Sequence, residues 1–149
     1  MQSLSIAALL AAVVTLVVAT LKKRRPEPPT QTPNGPPQQL DRADFPHPDS
    51  PWLAVVFVSD TCHSCAAVVP KVELLESPDV AVKVASFQAD KLLHERYAID
   101  SVPTTVLADA SGEVRKAFVG PVSATDLWAA MAELREPGST PPPEAHHPG

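Results

Sequence analysis

Trp52-Leu53-Ala54-Val55-Val56-Phe57-Val58, followed by Ser59-Asp60-Thr61-Cys62-His63-Ser64-Cys65-Ala66-Ala67-Val68-Val69-Pro70, is the stretch that decides the fold. Its first seven residues are apolar and rich in β-branched side chains, the pattern of a strand. Ala66 to Leu75 reads as a helix, with Pro70 inside it. A strand that ends in a tight turn and feeds a helix places Cys62 at the helix N-terminus. There the unpaired N–H groups and the positive end of the macrodipole favour a thiolate over a thiol. Cys65, one helical turn later, lies close enough to close a ring with it. These two cysteines are all that the 149 residues contain.

A Cys-x-x-Cys pair can also be half of a zinc site, but zinc usually takes four ligands. The chain has no second pair, His63 sits between the cysteines where joint chelation is awkward, and His94 is remote in sequence. No metal is expected, and no cofactor is implied. Downstream, Asp100-Ser101-Val102-Pro103-Thr104-Thr105-Val106-Leu107-Ala108 reads as a strand beginning just after a proline. Proline suits that position because it donates no ladder hydrogen bond.

Taken together, these residues resemble the thioredoxin superfamily. The resemblance rests on Cys62-His63-Ser64-Cys65 after an apolar strand, Pro70 five residues beyond the second cysteine, Tyr97-Ala98-Ile99, Val102-Pro103-Thr104 and Gly120. It covers about residues 40 to 135. It implies that Cys62 is the attacking thiol and Cys65 the resolving one. It also implies that Pro103 is a cis-proline facing the pair, and that Val102, Pro103 and Thr104 form the stretch that meets substrate. The activity implied is thiol–disulfide exchange, with protein or small-molecule thiols and disulfides and a redox partner protein, which a membrane can also carry, as partners. A non-catalytic binding or redox-sensing module on the same fold stays open. Three positions depart from thioredoxin itself: Thr61 replaces a tryptophan, His63-Ser64 replaces Gly-Pro, and Val56 replaces a buried aspartate. Protonated His63 would favour the Cys62 thiolate, which stabilises the dithiol and moves the couple toward the oxidising side. Ser64 shares that modulating position.

The remaining segments fit an α/β layer order, a central mixed sheet flanked by helices. Val80 to Phe87 alternates as a strand, and Asp90 to Tyr97 reads as a short helix with Leu92, Leu93 and Tyr97 on its inner face. Asp109-Ala110-Ser111-Gly112 is a turn between Thr104–Ala108 and an antiparallel return over 113–119. Ser123, three residues before Asp126, caps a helix running to about Leu134. Trp52 and Trp128 read as packing residues, and Asp60, a nearby carboxylate and candidate for proton handling, reads first as an exposed, solvated loop residue.

Outside this domain the composition changes. Residues 4 to 21 carry no charge over eighteen positions, which at about 1.5 Å per residue spans roughly 27 Å, the thickness of a bilayer core. With no basic residue before the run and Lys22-Lys23-Arg24-Arg25 behind it, residues 1–21 read as a retained single-pass transmembrane anchor rather than a cleaved signal. The lipid bilayer is therefore an expected partner. The charge flank favours a cytoplasmic domain, whereas the family habit of membrane-tethered relatives favours the extracytoplasmic side. Eight of eighteen prolines lie between residues 22 and 50. Residues 22–39 read as a Pro-rich spacer, with Leu40 and Phe45 packing on the domain edge. The domain is placed at 40–135 and a disordered tail at 136–149. From 51 to 135 there are seven Lys or Arg against eleven Asp or Glu, so the domain lacks the basic excess that nucleic-acid binding needs.

Overall fold

The computed structural model describes residues 35–139. The expected anchor over 1–21, most of the spacer and most of the tail lie outside the described residues. Among the described residues no helix is long and apolar enough to cross a membrane.

The chain builds β1 (Trp52–Val58), α1 (Cys65–Glu73), β2 (Val80–Ser86), α2 (Lys91–Arg96), β3 (Thr104–Asp109), β4 (Val114–Val119) and α3 (Ala124–Arg135). The sheet order is β2-β1-β3-β4, with β1 parallel to β2 and antiparallel to β3, and β3 antiparallel to β4. This is the thioredoxin-like α/β arrangement expected from the segment order. β1 is central, so both of its faces are covered and every residue after Trp52 is buried. That explains why it reads as an unbroken apolar run instead of an alternation.

Strand alternation divides the core in two. Ala54, Val56 and Val58 face one cluster with Cys65, Val68 and Val72 of α1 and Leu127 and Met131 of α3. Leu53, Val55 and Phe57 face the other, with Leu40, Phe45 and Tyr97. Ser123 caps α3 as its spacing predicts, its hydroxyl accepting from the Asp126 N–H at 3.0 Å. Trp128 remains 44% exposed and packs only in part. Its indole N–H donates to the Lys71 carbonyl at 3.0 Å and pins α3 to α1.

The inner face of α2 differs from expectation. Leu92 is 79% exposed, and His94 is buried in its place. The helix is only six residues long, and its sheet-facing edge runs through Leu93, His94 and Tyr97. Burial of the imidazole is tolerated because Nε2 pairs with the Ala85 carbonyl at 2.9 Å. Its ring also stands edge-on to Phe57 and Phe87.

Leu40 and Phe45 pack as expected, and the attachment of their segment is extensive. The Leu40 N–H donates to the Gly112 carbonyl at 2.8 Å. Gly112 has φ +82°, and a Cβ there would collide with the Leu40 carbonyl, so this turn requires glycine on both counts. The buried Arg42 guanidinium donates to the carbonyls of Ser50, Asp109 and His47. Tyr97 closes the segment onto α2: its hydroxyl accepts from the Asp41 N–H at 3.0 Å and donates to Asp44 Oδ2 at 2.5 Å. Arg96 pairs with both carboxylates. Burial, then the bond to Asp44, pushes the Tyr97 phenol up to about 12.

Candidate active site

β1 and β2 are parallel, with Val58 opposite Ser86, so the loops that follow them emerge side by side. The carboxyl ends of parallel strands are where open α/β sheets place their sites. The loop after β1 first makes a turn, in which the Cys62 N–H donates to the Ser59 carbonyl at 3.0 Å. A second turn follows, the Cys65 N–H donating to the Cys62 carbonyl at 3.3 Å. The helix begins only at Cys65.

Cys62 therefore stands three residues ahead of the first helical residue, in the turn that feeds the helix and one residue nearer to it than a helix starting at Ala66 would place it. Ser64 is the N-cap residue, yet its side chain makes no capping bond. Its hydroxyl lies 3.6 Å from Cys62 Sγ instead. The loop thus gives the sulfur a hydroxyl partner in addition to the helix end behind it.

Cys62 and Cys65 form a disulfide with Cα atoms 5.4 Å apart. The pair is asymmetric: Cys65 is 3% exposed within the apolar cluster, whereas Cys62 is only partly buried. Cys62 lines an open surface depression together with Asp60, Thr61, His63, Ser64, Ala66 and Ala67. His63 is exposed on this rim. Val56 is fully buried in the same cluster as Cys65, so a hydrocarbon occupies the floor of the site.

The second anchor arrives at the same end of the sheet. Thr104 opens β3 opposite Phe57 at the end of β1 and opposite Val119 at the end of β4. The Val102-Pro103 bond just before it is cis, as the resemblance implies. Val102 packs against the cluster that holds both cysteines. The Pro103 carbonyl accepts from the Gly120 N–H at 2.7 Å. Gly120, at φ +93°, has a backbone conformation that side-chain-bearing residues rarely adopt. Thr104 is buried and its hydroxyl donates to the Ser101 carbonyl at 2.8 Å, so the side chain braces the loop internally.

Residues that the sequence did not single out complete the loop. Asp60 Oδ1 accepts from Ser86 Oγ at 3.1 Å, and the Asp60 N–H donates to Gln88 Oε1 at 3.0 Å. Both partners follow from the parallel register of β1 and β2, which strand patterns alone do not reveal. Among the described residues no group of three or more His, Cys, Asp or Glu is placed to hold a metal.

Residues 39–135, about two thirds of the chain, match the family profile of the thioredoxin-like domain. The chain belongs to the thioredoxin-like family. A point mutant of thioredoxin from Halobacterium salinarum is 30% identical, with a TM-score of 0.50, over 57% of this chain and 75% of that one. The germline-specific thioredoxin Deadhead from Drosophila melanogaster is 24% identical with a TM-score of 0.51, covering 58% of this chain and 84% of its own. The thioredoxin of Fasciola hepatica is 24% identical with a TM-score of 0.50, over 58% and 83% respectively. The last two likenesses speak to the fold alone. Comparison with curated protein sequences finds no match. In this thioredoxin-like protein, a closed Cys62–Cys65 disulfide at the end of β1 is consistent with redox activity.

Proposed function

We propose that the protein is a thiol–disulfide oxidoreductase in which Cys62 attacks and Cys65 resolves. The observation that carries this reading is the asymmetry of the pair: the accessible sulfur is Cys62, and Cys65 is enclosed behind it. In the reducing direction, the Cys62 thiolate attacks one sulfur of a client disulfide. A Cys62–client bond forms, the client S–S bond breaks, and the departing client thiolate takes up a proton. The Cys65 thiolate then attacks Cys62 Sγ, forming the Cys62–Cys65 disulfide and releasing the second client thiolate. Two electrons pass from protein to client, and a partner dithiol restores the reduced pair. The reverse sequence donates a disulfide.

Val102, which packs against the cluster around Cys65, and the cis-linked Pro103 supply the backbone against which a client segment lies, with Thr104 holding that stretch from beneath. Ser64 and His63 tune the Cys62 sulfur from the rim. Residues 1–21 tether the domain to a membrane and residues 22–39 space it from the surface. The basic flank Lys22–Arg25 favours the cytoplasmic side.

The test is trapping. Cys65→Ser should accumulate mixed disulfides with an oxidised protein substrate such as insulin, and Cys62→Ser should form none and lose turnover. Equal and full activity in both variants would sink the assignment. A second reading, a tethered binding or sensing module, is favoured by the hydrocarbon Val56 on the site floor. It predicts a pair whose potential lies far below the glutathione range and no turnover.

A further inference from the structure

We propose that Gln88, which lies outside the Cys-x-x-Cys motif and the Val102-Pro103 loop, is a positioning residue for Cys62. The inference deepens the oxidoreductase reading and rests on it for its functional meaning.

Cys62 is the last residue of a four-residue turn, Ser59 to Cys62, closed by its own N–H on the Ser59 carbonyl. The side-chain amide of Gln88 grips the first two residues of that turn. Its Nε2 donates to Ser59 Oγ at 3.2 Å, and its Oε1 accepts from the Asp60 N–H at 3.0 Å. Ser59 Oγ in turn lies 3.1 Å from Thr61 Oγ1, so the grip reaches the residue before the sulfur. Gln88 itself is fixed from β2. Its N–H donates to Ser86 Oγ at 3.3 Å, and the serine proton has two acceptors in reach, Asp60 Oδ1 and Gln88 Oε1, each at 3.1 Å. Beneath them the Phe87 N–H donates to the Val58 carbonyl at 2.8 Å, extending the parallel ladder to the base of both loops.

A primary amide is suited to this task because it offers a donor and an acceptor a fixed distance apart. Here both are used on consecutive residues of one turn. An exposed loop held only by its own turn bond would sample other positions. Gripped from a second strand, it keeps Cys62 over Cys65 when the disulfide is open. Closing the ring then forgoes less conformational freedom, which raises the effective concentration of one sulfur at the other.

The consequence is readable as a redox equilibrium. Reduction by dithiothreitol opens the Cys62–Cys65 bond to two thiols and closes the reagent to its cyclic disulfide, with two electrons and two protons transferred. Gln88→Ala in the full chain should shift this equilibrium toward the reduced protein by about three- to tenfold, since each lost hydrogen bond is individually modest. At about 30 mV per tenfold, that raises the potential by about 14 to 30 mV. The substitution leaves ring closure in the unfolded chain untouched, so in urea the oxidised protein should lose more stability than the reduced one, by an amount that matches the redox shift. Gln88 is exposed, so the loss in each form should stay modest. Ser59→Ala should produce part of the same shift, and the double variant should shift less than the sum of the two singles. An unchanged potential in Gln88→Ala, or a shift toward a more stable disulfide, overturns the proposal. Additive shifts in the double variant overturn it too. The measurement needs no client turnover. A protein that never exchanges with clients would defeat the oxidoreductase reading while leaving this potential to decide the role of Gln88.

Discussion

Replacing Tyr97 by phenylalanine isolates the bond that holds the N-terminal segment to α2. The ring stays, and with it the stacking on Phe45 at 5.8 Å and the contact with Phe57. Only the hydroxyl goes, leaving the Asp41 N–H without its acceptor and Asp44 without one of its two partners. A bond to a carboxylate contributes about 1.5 to 3 kcal/mol and a neutral one about 0.5 to 1.5 kcal/mol. Arg96 keeps its pairing with Asp44, which lowers the loss, so Tyr97→Phe should cost about 2 to 3 kcal/mol near pH 8.

The titration of the phenol offers a second handle on the same hydroxyl, because burial first and then the bond to Asp44 disfavour its ionised form. A hydroxyl that titrates at about 12 in the fold instead of 10.0 favours its protonated form there by roughly 2 to 3 kcal/mol. Because the folded value lies above the unfolded one, that stabilisation is whole below pH 10 and is lost as pH rises through about 12. The variant has no such group. The stability gap between the two proteins should therefore shrink to about half at pH 11 and continue to close toward pH 12. Urea unfolding followed by the fluorescence of Trp52 and Trp128 measures it, since neither indole is altered and lysine titration cancels in the difference. A gap under about 0.5 kcal/mol at pH 8, or one that stays constant from pH 8 to 11, would refute the reasoning.

Two further outcomes follow from local contacts. Ser64→Ala should slow alkylation of the reduced Cys62 sulfur about two- to fivefold at neutral pH. It should leave the unfolding midpoint unchanged, because the hydroxyl caps no helical N–H. At Asp109, burial pushes the carboxyl up, but the bonds from Ser111 and Glu113, with Arg115 nearby, outweigh it and hold the group below its ordinary value. Its contribution is therefore present above the unfolded value and lost as pH falls through the lowered folded one. Asp109→Asn should cost about 0.5 to 1 kcal/mol at pH 7 and flatten the acid limb of the stability curve, as urea titrations at pH 7 and pH 3 would show.

What the sequence disclosed depended on the range of the interaction. The run Trp52–Val58, the Asp109–Gly112 turn and the Ser123 cap are determined by residues a few positions apart, and each is where its pattern places it. The Cys62–Cys65 spacing was equally local, but the start of the helix was not. Whether Ser64 caps α1 or turns to the sulfur depends on the fold of the loop, and the helix itself begins one residue before Ala66. Long-range choices were hidden altogether. Nothing local prefers His94 to Leu92 as the inward side chain until the Ala85 carbonyl of β2 is beside it. Gln88 looks like an ordinary polar loop residue until the parallel register brings it against Ser59, 29 positions away.

The two faces of β1 divide the labour of the domain. On the face of Leu53, Val55 and Phe57, polar side chains secure the chain: Tyr97 with Asp41 and Asp44, and Arg42 with three carbonyls. On the face of Ala54, Val56 and Val58, the cluster around Cys65 is apolar, with the buried hydroxyl of Thr105, opposite Val56, as its polar group. The buried polar or charged residues among those described are Arg42, His94, Thr104 and Thr105, none of them an acid. Asp60, the carboxylate in the Cys62 depression, is engaged by Ser86 at the surface. In the proposed exchange, a proton leaving Cys65 would therefore pass toward the open, Cys62 side of the site, where Asp60 and His63 line the depression, and not into the core. On that reading the rim groups, the client and solvent share the proton acceptor's place, and the fit of a client against Cys62 and Val102 would be part of the chemistry as well as part of recognition.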